Sequence, residues 1–372
     1  MRFAALLLVA ISACSNATSV ASHPNAAASQ RASAPRTQPS QAVTPPNSVS
    51  GAYAVVVKDF LEGGATYTVT LVATDGHLAA AATPRKRSRF VQIGNLSTSA
   101  TTLYYLDGDT DIHYLRPDGR TGLATAVTLA ANQVATFSVS PDDKRIAVAV
   151  LDFTKYPVGT RLYVEDLVGH ANHVELFSSP AVEEWPVGWH GGHLVMALGP
   201  NAPPQNEYEG FLRGHGYHVA DALTGTRLLD LCPGADSPVP ESPGGTVCVV
   251  YPNVSVVSWD AATWSAPKDG NSAMWGPLAP GGLLMATRIT ATPCSGCRSD
   301  SGVFLVDARG VAYPQPNLPR EAAPEGWIDA THLLLAADLA PNGLSVVDTT
   351  TGQVAAVPNA TGFFAAALPG GL

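Results

Sequence analysis

The sequence predicts an all-β protein assembled from repeated four-stranded units. Charged residues make up only 14% of the 372 residues, and 34 Gly and 30 Pro are spread along the chain. This composition favours short strands joined by many turns. Two strand patterns alternate about every 45 residues, a spacing that indicates an internal repeat. Four strands per repeat at that period is typical of the blades of a β-propeller.

The two patterns differ in their turns. One is an alternating strand followed by an Asp/Gly turn, as in IHYLRPDG (112–119) and VFLVDARG (303–310). The other is a short strand, a turn and a strongly apolar strand, as in FSVSPDDKRIAVAV (137–150). Its part SPDDKRIAVAV resembles the repeat of TolB-like and WD-repeat-like bacterial propellers, in which Ser-Pro-Asp-Gly-Lys opens the hairpin of a blade; here Asp143 replaces the Gly. The resemblance implies the fold alone, because propellers carry unrelated functions.

The two ends of the folded region predict how the ring closes. Residues 52–83 contain only three strands, beginning at what would be the second strand of a blade, and GFFAAALPGG (362–371) has the form of an inner strand with its turn. We therefore expect the C-terminal strand to complete the first blade, giving a seven-bladed β-propeller without exposed sheet edges. Six or eight blades remain alternatives, since the patterns at 93–130 and 237–266 are weak.

Residues 1–50 are expected to form a signal and a tether. The opening MRFAALLLVAISAC has one positive charge and a short apolar run, which is typical of a secretory signal. The run ends in Ile11-Ser12-Ala13-Cys14, which resembles the bacterial lipobox and implies a signal peptide of residues 1–13 and a lipidated Cys14; the alternative is an ordinary signal peptide.

Residues 14–50, rich in Ala, Ser and Pro, predict a disordered tether, and residues 51–372 predict the propeller. We expect a monomer outside the cytoplasm. Its lipid would hold it to a membrane in the periplasm or on the outer cell surface.

The five cysteines point to disulfides. Without Cys14 four remain, an even number that indicates two bridges outside the cytoplasm. Cys294 and Cys297, in the loop TPCSGCRSD, are interpreted as one bridge. A redox pair would need a helix N-terminus, and a zinc site would need a second pair of ligands nearby. Cys232 and Cys248 form the second candidate pair.

One face of the propeller is the predicted binding surface. The strands of a blade are named A to D from the central channel outward. B–C loops and D–A connectors then share one face, here called the loop face, and A–B and C–D turns share the other, the turn face. Several B–C loops are long, and long loops on a rigid scaffold commonly carry recognition. The candidate contact residues on the loop face are Arg85, Lys86, Arg87, Arg89, Lys155, Tyr156, Glu207, Tyr208, Glu209, Arg213, Arg298 and Asp300.

The alternatives to a binding surface are insertions without a ligand and, for the basic connector PRKRSRF (84–90), a solvated charge run. The same cluster of cations would otherwise suit an anionic polymer or an acidic protein patch.

Two polar patterns resemble metal sites. Asp107, Asp109 and Asp111 have the spacing of a calcium loop, with Asp118 at its twelfth position, but Ile112 occupies the position that requires Gly. A polar turn is therefore the preferred interpretation. The His-x-x-His pairs at 170/173, 190/193 and 215/218 are interpreted as surface histidines, because two of the pairs are predicted on opposite faces. We expect no metal and no cofactor.

The predicted function is a binding or protein-interaction module of the cell envelope, whose partner is an envelope protein or a cell-surface ligand. A formal net charge of −9 argues against a general nucleic-acid surface. The sequence contains no nucleophile elbow, phosphate loop or zinc-protease motif, so an enzyme is the less favoured interpretation. The alternative is a propeller-type hydrolase or lyase acting on envelope polysaccharide or peptide, with Glu207 and Glu209 above the mouth of the channel.

Overall fold

The computed structural model describes a chain of strands and turns. The described residues are 51–60, 63–88, 95–154, 158–199, 215–235, 242–250, 253–269, 272–289, 301–315, 317–318, 321–337 and 343–372. Within these ranges the chain contains no helix. It follows that no helix there is long and apolar enough to cross a membrane.

The described ranges contain 28 strands. In chain order they are β1 (Tyr53–Lys58), β2 (Thr68–Ala73), β3 (Leu78–Ala82), β4 (Leu96–Thr98), β5 (Leu103–Asp107), β6 (Asp111–Leu115), β7 (Thr121–Ala126), β8 (Gln133–Val139), β9 (Arg145–Asp152), β10 (Gly159–Asp166), β11 (Val174–Ser179), β12 (Glu184–His190), β13 (His193–Leu198), β14 (Tyr217–Ala220), β15 (Arg227–Leu231), β16 (Thr246–Val250), β17 (Asn253–Val257), β18 (Thr263–Ser265), β19 (Lys268–Asp269), β20 (Ser272–Ala273), β21 (Leu284–Ile289), β22 (Gly302–Asp307), β23 (Ala312–Pro314), β24 (Ala322–Trp327), β25 (His332–Ala337), β26 (Leu344–Asp348), β27 (Val354–Val357) and β28 (Phe363–Leu368).

These strands form seven blades, which confirms the predicted seven-bladed propeller. Five blades are four-stranded antiparallel sheets, with the orders β28-β1-β2-β3, β4-β5-β6-β7, β8-β9-β10-β11, β12-β13-β14-β15 and β24-β25-β26-β27. The fifth and sixth blades are the three-stranded sheets β16-β17-β18 and β21-β22-β23. Among the described residues, the segments that precede their first strands contribute the bridges Ser242–Gly245 and Leu278–Met285. The strands β19 and β20 form a separate hairpin before the sixth blade.

The closing strand comes from the C-terminal end of the chain, as predicted. β28 pairs antiparallel with β1, from Tyr53 opposite Leu368 to Val57 opposite Phe363. In the last blade the carboxylate of Glu325 accepts the N–H of Phe364, which ties β24 to β28. The first and last blades are therefore joined both by strand pairing and by a side-chain hydrogen bond.

The burial of each strand follows its radial position. β9 is buried along six consecutive residues because neighbouring blades cover both of its faces. The outer strand β11 alternates between intermediate and exposed residues, since only one of its faces meets a neighbouring blade. Apolar clusters fill each junction between consecutive blades, including the junction between the last blade and the first.

The C–D turns repeat one backbone geometry. The glycines of this repeat have φ between 69° and 85°, a conformation that disfavours side chains; they are Gly76, Gly119, Gly169, Gly225, Gly310 and Gly352. The fifth blade has Ala261 at φ 64° in the same place. In the A–B turn of the third blade, Asp143 takes φ 60° where the related repeats have Gly, and its carboxylate accepts the hydroxyl hydrogen of Tyr104 at 2.9 Å. The departure from Gly therefore adds a contact to the second blade.

Replacing Gly326 by Ala is expected to loosen the ring closure. A Cβ at this position would overlap the ring of Phe364 in β28. Overpacking of this kind costs about 1–3 kcal/mol, so the midpoint of denaturant unfolding falls. Gly63→Ala is the matched control, because a Cβ there meets nothing within 4 Å. Equal stability of the two variants would show that the packing of β28 against β24 does not limit the stability of the ring.

Candidate functional site

The basic connector between the first and second blades is fixed to the loop that carries the three aspartates. Arg85 donates its backbone N–H to Asp107 Oδ1 at 2.6 Å and its Nε–H to the same oxygen at 3.0 Å. The backbone N–H of Ser88 binds Asp109 Oδ1 at 2.8 Å, and Arg85 Nη2 lies 3.5 Å from Asp111 Oδ2. Although partial burial opposes it, hydrogen bonds from Arg85 lower the pKa of Asp107. The three carboxylates therefore bind Arg85 and Ser88 of the connector.

The pattern that resembled a calcium loop is accordingly a polar B–C turn of the second blade. Within the described ranges, no group of three His, Cys, Asp or Glu side chains is arranged to hold a metal ion. The neighbouring Lys86 donates its backbone N–H to the carbonyl of Ala65 at 2.8 Å, so the connector is also tied to the B–C loop of the first blade.

Arg87 turns away from this surface and reaches the inner edge of the third blade. Its Nη2 donates to the carbonyl oxygen of Ala135, in β8, at 2.7 Å. In β8 the residues bonded to β9 are the even-numbered ones, as the flanking bonds Phe153 N–H to Asn132 O and Ser140 N–H to Arg145 O show. The carbonyl of Ala135 therefore faces away from β9, toward the channel. The guanidinium of Arg87 lies at the loop-face end of that channel.

The remaining donors of Arg87 are not used. Its Nε and Nη1 are shielded from solvent and have no hydrogen-bond partner. Burial lowers the pKa of Arg87 to about 10, while the nearby Tyr67 and Asp109 oppose this shift. The guanidinium therefore stays protonated at neutral pH. Tyr67, whose hydroxyl donates to the carbonyl of Leu106 at 2.6 Å, does not accept a hydrogen bond from either of these two nitrogens.

Glu183, in the D–A connector before the fourth blade, is a second buried ionisable group of the loop face. Its Oε1 is buried without a hydrogen-bond partner, and burial raises its pKa to about 7. The side chain lies against Gly199, whose N–H binds the Glu183 carbonyl at 2.7 Å. A glycosidase-type reaction needs two cooperating carboxyl groups, and the adjacent Glu184 instead contacts Arg227 and His218.

The turn-face end of the channel is occupied by the C-terminal residues that follow β28. Gly370 N–H binds the carbonyl of Ser99 in the second blade at 2.6 Å, and Gly371 contacts Pro141 in the third. Leu372 N–H binds the carbonyl of Trp189 at 2.8 Å, and its side chain lies against Gly188 in the fourth. Residues 369–372 therefore run past three consecutive inner turns, and ligand access from this side is restricted.

The histidine pairs do not form one site, and their interpretation as surface histidines holds only in part, since His170 and His173 are exposed whereas His218 is buried. His170 and His173 both contact the buried Glu165, with Nδ1–O distances of 2.6 and 2.8 Å. His190 joins the carbonyl of Leu372, at 2.7 Å, to Asp260 of the fifth blade. The prediction is wrong most clearly for His218, which is only 4% exposed.

His218 belongs to a buried polar cluster of the fourth blade. Arg227 Nη2 donates to its Nδ1 at 3.0 Å, and Glu184 Oε2 lies 3.6 Å from its Nε2. Burial, with the charge of Arg227, lowers the pKa of His218 to about 4. A neutral ring with its proton on Nε2 satisfies both neighbours. Burial raises the pKa of Glu184, and Arg227 opposes that shift.

A disulfide joins Cys232 and Cys248, the second predicted pair, with a Cα–Cα distance of 5.6 Å. Cys232 follows the outer strand β15 of the fourth blade, and Cys248 lies in β16 of the fifth. The bond thus fastens the fourth blade to the fifth. Bridges closing loops of this size stabilise by about 3 kcal/mol.

Several predicted residues lie outside the described residues. They are Cys14, Arg89, Lys155, Tyr156, Glu207, Tyr208, Glu209, Arg213, Cys294, Cys297, Arg298 and Asp300. The Cys294–Cys297 bridge stays a prediction.

Comparisons with known proteins yield only distant likenesses. No family model matches the chain, and no curated protein matches it. Among solved structures, TolB from Acinetobacter baumannii is 13% identical, with 87% of this chain and 67% of that chain covered and a TM-score of 0.39. The β-propeller domain of the Trilobed protease from Pyrococcus furiosus is 10% identical, with 72% and 83% covered and a TM-score of 0.42.

Dipeptidyl peptidase 4 from Porphyromonas gingivalis is also 10% identical, with 80% of this chain and 49% of that chain covered and a TM-score of 0.39. At such values these likenesses carry no functional argument. The propeller assignment rests on the strand pairing of this chain itself.

The neutral state of His218 predicts a loss of stability on mild acidification. The unfolded chain protonates this histidine below about pH 6.5, whereas the folded chain resists protonation down to a pKa of about 4. The contribution of His218 to stability is therefore complete above pH 6.5 and falls by about 2 kcal/mol between pH 6.5 and pH 5. Glu183, whose pKa is raised to about 7, contributes in the opposite direction over this window, so the His218 contribution is read from the comparison with a His218 variant. The free energy of unfolding, measured by urea denaturation across this window, checks the prediction.

His218→Asn is the matched variant, because Asn keeps an acceptor near the position of Nδ1 and does not titrate. Relative to this variant, the unaltered chain should lose about 2 kcal/mol of stability between pH 6.5 and pH 5, because the contributions of Glu183 and Glu184 are common to both proteins. Identical slopes for the two proteins would contradict a neutral, buried His218.

Proposed function

We propose that this chain is a lipid-anchored binding module of the cell envelope that docks a protein partner on its loop face. The observation that carries the proposal is the asymmetry of the channel. Residues 369–372 run past three inner turns at its turn-face end, whereas the buried guanidinium of Arg87, with two nitrogens that have no partner, lies at its loop-face end. A ligand that enters the channel mouth is therefore best received from the loop face.

The loop face has the rigidity that recognition requires. The hydrogen bonds of Arg85 and Ser88 fix the connector to the second blade, and the backbone bond of Lys86 fixes it to the first. The disulfide between Cys232 and Cys248 fastens the fourth blade to the fifth. A surface held in this way loses little conformational entropy on binding, which favours affinity.

Binding is favoured over catalysis by the described residues. Glu183 is a single perturbed carboxyl whose neighbour Glu184 is engaged elsewhere, and no metal-holding group occurs in the ranges given above. The hydrolase or lyase alternative depends on Glu207 and Glu209, which lie outside the described residues. No observation on the described part of the chain favours it.

The location of the module is inferred from residues 1–50. The lipobox-like Ile11-Ser12-Ala13-Cys14 supports lipidation of Cys14, and the segment up to residue 50 would act as a tether for the propeller. A ring closed by β28 presents no unpaired inner sheet edge to a second copy, which supports a monomer.

Site-specific photo-crosslinking tests the proposed docking face. A photoreactive residue is placed at Ala65, Ala131 or Val182, all exposed on the loop face, in cells that carry the full chain. Exposed turn-face positions provide matched controls; they are Val168, Leu223 and Leu283. We expect a common envelope protein to be captured from the loop-face positions only. Capture from both faces alike, or from the turn face alone, would refute the docking face.

The anchor has its own test. Cys14→Ser should move the chain from the membrane fraction to the soluble fraction and abolish incorporation of labelled fatty acid, since stable anchoring requires acyl chains. Ser12→Ala preserves the lipobox-like pattern and serves as the control. Membrane retention of the Cys14→Ser chain would argue against a lipid anchor.

A further inference from the structure

We propose that Arg87 is the specificity-determining residue of the loop face and receives a carboxylate from an acidic peptide segment of the partner. The inference rests on the proposed docking function and names the chemistry of that same site. It is carried by the position of the guanidinium, its burial and its unused donors.

The guanidinium is placed for recognition by one fixed hydrogen bond. Nη2 donates to the carbonyl of Ala135 on the channel side of β8, and this bond orients the plane of the group. Nε and Nη1 remain without partners and without contact with solvent. A buried donor that forms no hydrogen bond is costly, and a buried charge more so. An oxyanion that reached these donors would remove both costs.

The groups that face Arg87 do not already fill this role. Neither Asp109 nor Tyr67 binds Nε or Nη1 of Arg87; Asp109 Oδ1 accepts the N–H of Ser88, and the Tyr67 hydroxyl donates to the carbonyl of Leu106. Asn95 contributes a side-chain hydrogen bond to Tyr67. Arg85, two residues earlier, differs in every respect, since it is exposed and paired with Asp107 and Asp111.

A carboxylate on an extended segment fits the location better than a large anionic surface does. Planar guanidinium groups bind carboxylates with matched geometry, and because Nε and Nη1 are shielded from solvent, a small group such as one side chain could reach them more readily than a large surface. The chain carries a formal net charge of −9, so long-range attraction of a polyanion is disfavoured. Because the contact is shielded from solvent, its strength should depend only weakly on salt.

The test titrates the purified chain with two neutral-ended tripeptides, acetyl-Gly-Asp-Gly-amide and acetyl-Gly-Asn-Gly-amide, and with inorganic phosphate. Binding is followed by NMR through the arginine Nε–H signals. We expect the Asp peptide to bind at least about 10-fold more tightly than the Asn peptide, and Arg87→Gln to remove that preference. Arg87→Lys should retain part of it, because the charge remains and the planar fork is lost.

Lys58→Gln is the matched control, because Lys58 is an exposed cation at the loop-face end of β1, and it should change the affinity by no more than about twofold. Equal losses in Lys58→Gln and Arg87→Gln, or a steep salt dependence, would assign binding to the general field of the loop face and overturn the proposal. Phosphate binding that depends on Arg87, without binding of the Asp peptide, would identify a free-anion site and overturn the peptide assignment. Failure of all three probes to bind would also overturn the peptide assignment.

The melting temperature of the ligand-free variants separates recognition from a structural role. If Arg87 serves recognition, Arg87→Gln should shift Tm by no more than about 3 °C. A much larger fall together with no peptide binding would make Arg87 a structural residue. These titrations need no partner, so they are independent of the crosslinking result. Capture of a partner that is unaffected by Arg87→Gln would sink this inference and leave the docking function standing.

Discussion

The pairing of β28 with β1 is the constraint on which the rest of the structure depends. Every blade buries both faces against neighbours, and the first blade can do so only when the C-terminal strand supplies its inner edge. The same strand delivers residues 369–372 to the turn-face end of the channel, where they bind Ser99 and Trp189. The strand that closes the ring therefore also places residues 369–372 beside the inner turns of the second, third and fourth blades.

A short motif in two inner strands shows how the closing segment is accommodated. Residues 186–189 and 324–327 both read Pro-x-Gly-Trp, and both contain a β-bulge between Pro and Gly. Each Trp donates its indole N–H to a carbonyl in the inner segment of the preceding blade, Trp189 to Ser138 and Trp327 to Pro277. The two glycines leave room for Leu372 and Phe364 of the C-terminal segment. In each copy of the motif the Trp packs against the preceding blade and the Gly leaves room for a side chain of the C-terminal segment. The motif therefore links the packing of blades to the placement of the segment that closes the ring.

The repeat could be predicted from sequence because its determinants are local. Alternating strands, turn glycines and the three-stranded first blade all lie within short windows, and together they predict the blade count and the closing strand. The pattern of the fifth blade is weak, since the Gly- and Pro-rich stretch around Ser242 resembles a turn. The site depends on longer separations: Arg87 meets Ala135 across 48 residues. Which of the clustered cations turns inward, and why His218 is buried, depends on how blades stack.

The distribution of charge pairs gives the loop face its distinct character. On the turn face, cations pair with an aspartate two residues earlier in the same turn: Arg120 with Asp118, Lys144 with Asp142 and Arg309 with Asp307. Such pairs cancel locally and are satisfied without a partner protein. On the loop face Arg85 is likewise paired, but with the following blade rather than with its own turn. Its role is thus to hold the connector, and a rigid connector keeps Arg87 directed into the channel although its burial is unfavourable. The fold holds the charge of Arg87 in a buried position at a cost in free energy, whereas the neighbouring Arg85 is paired with aspartates. Recognition of an acidic segment would use the buried charge of Arg87.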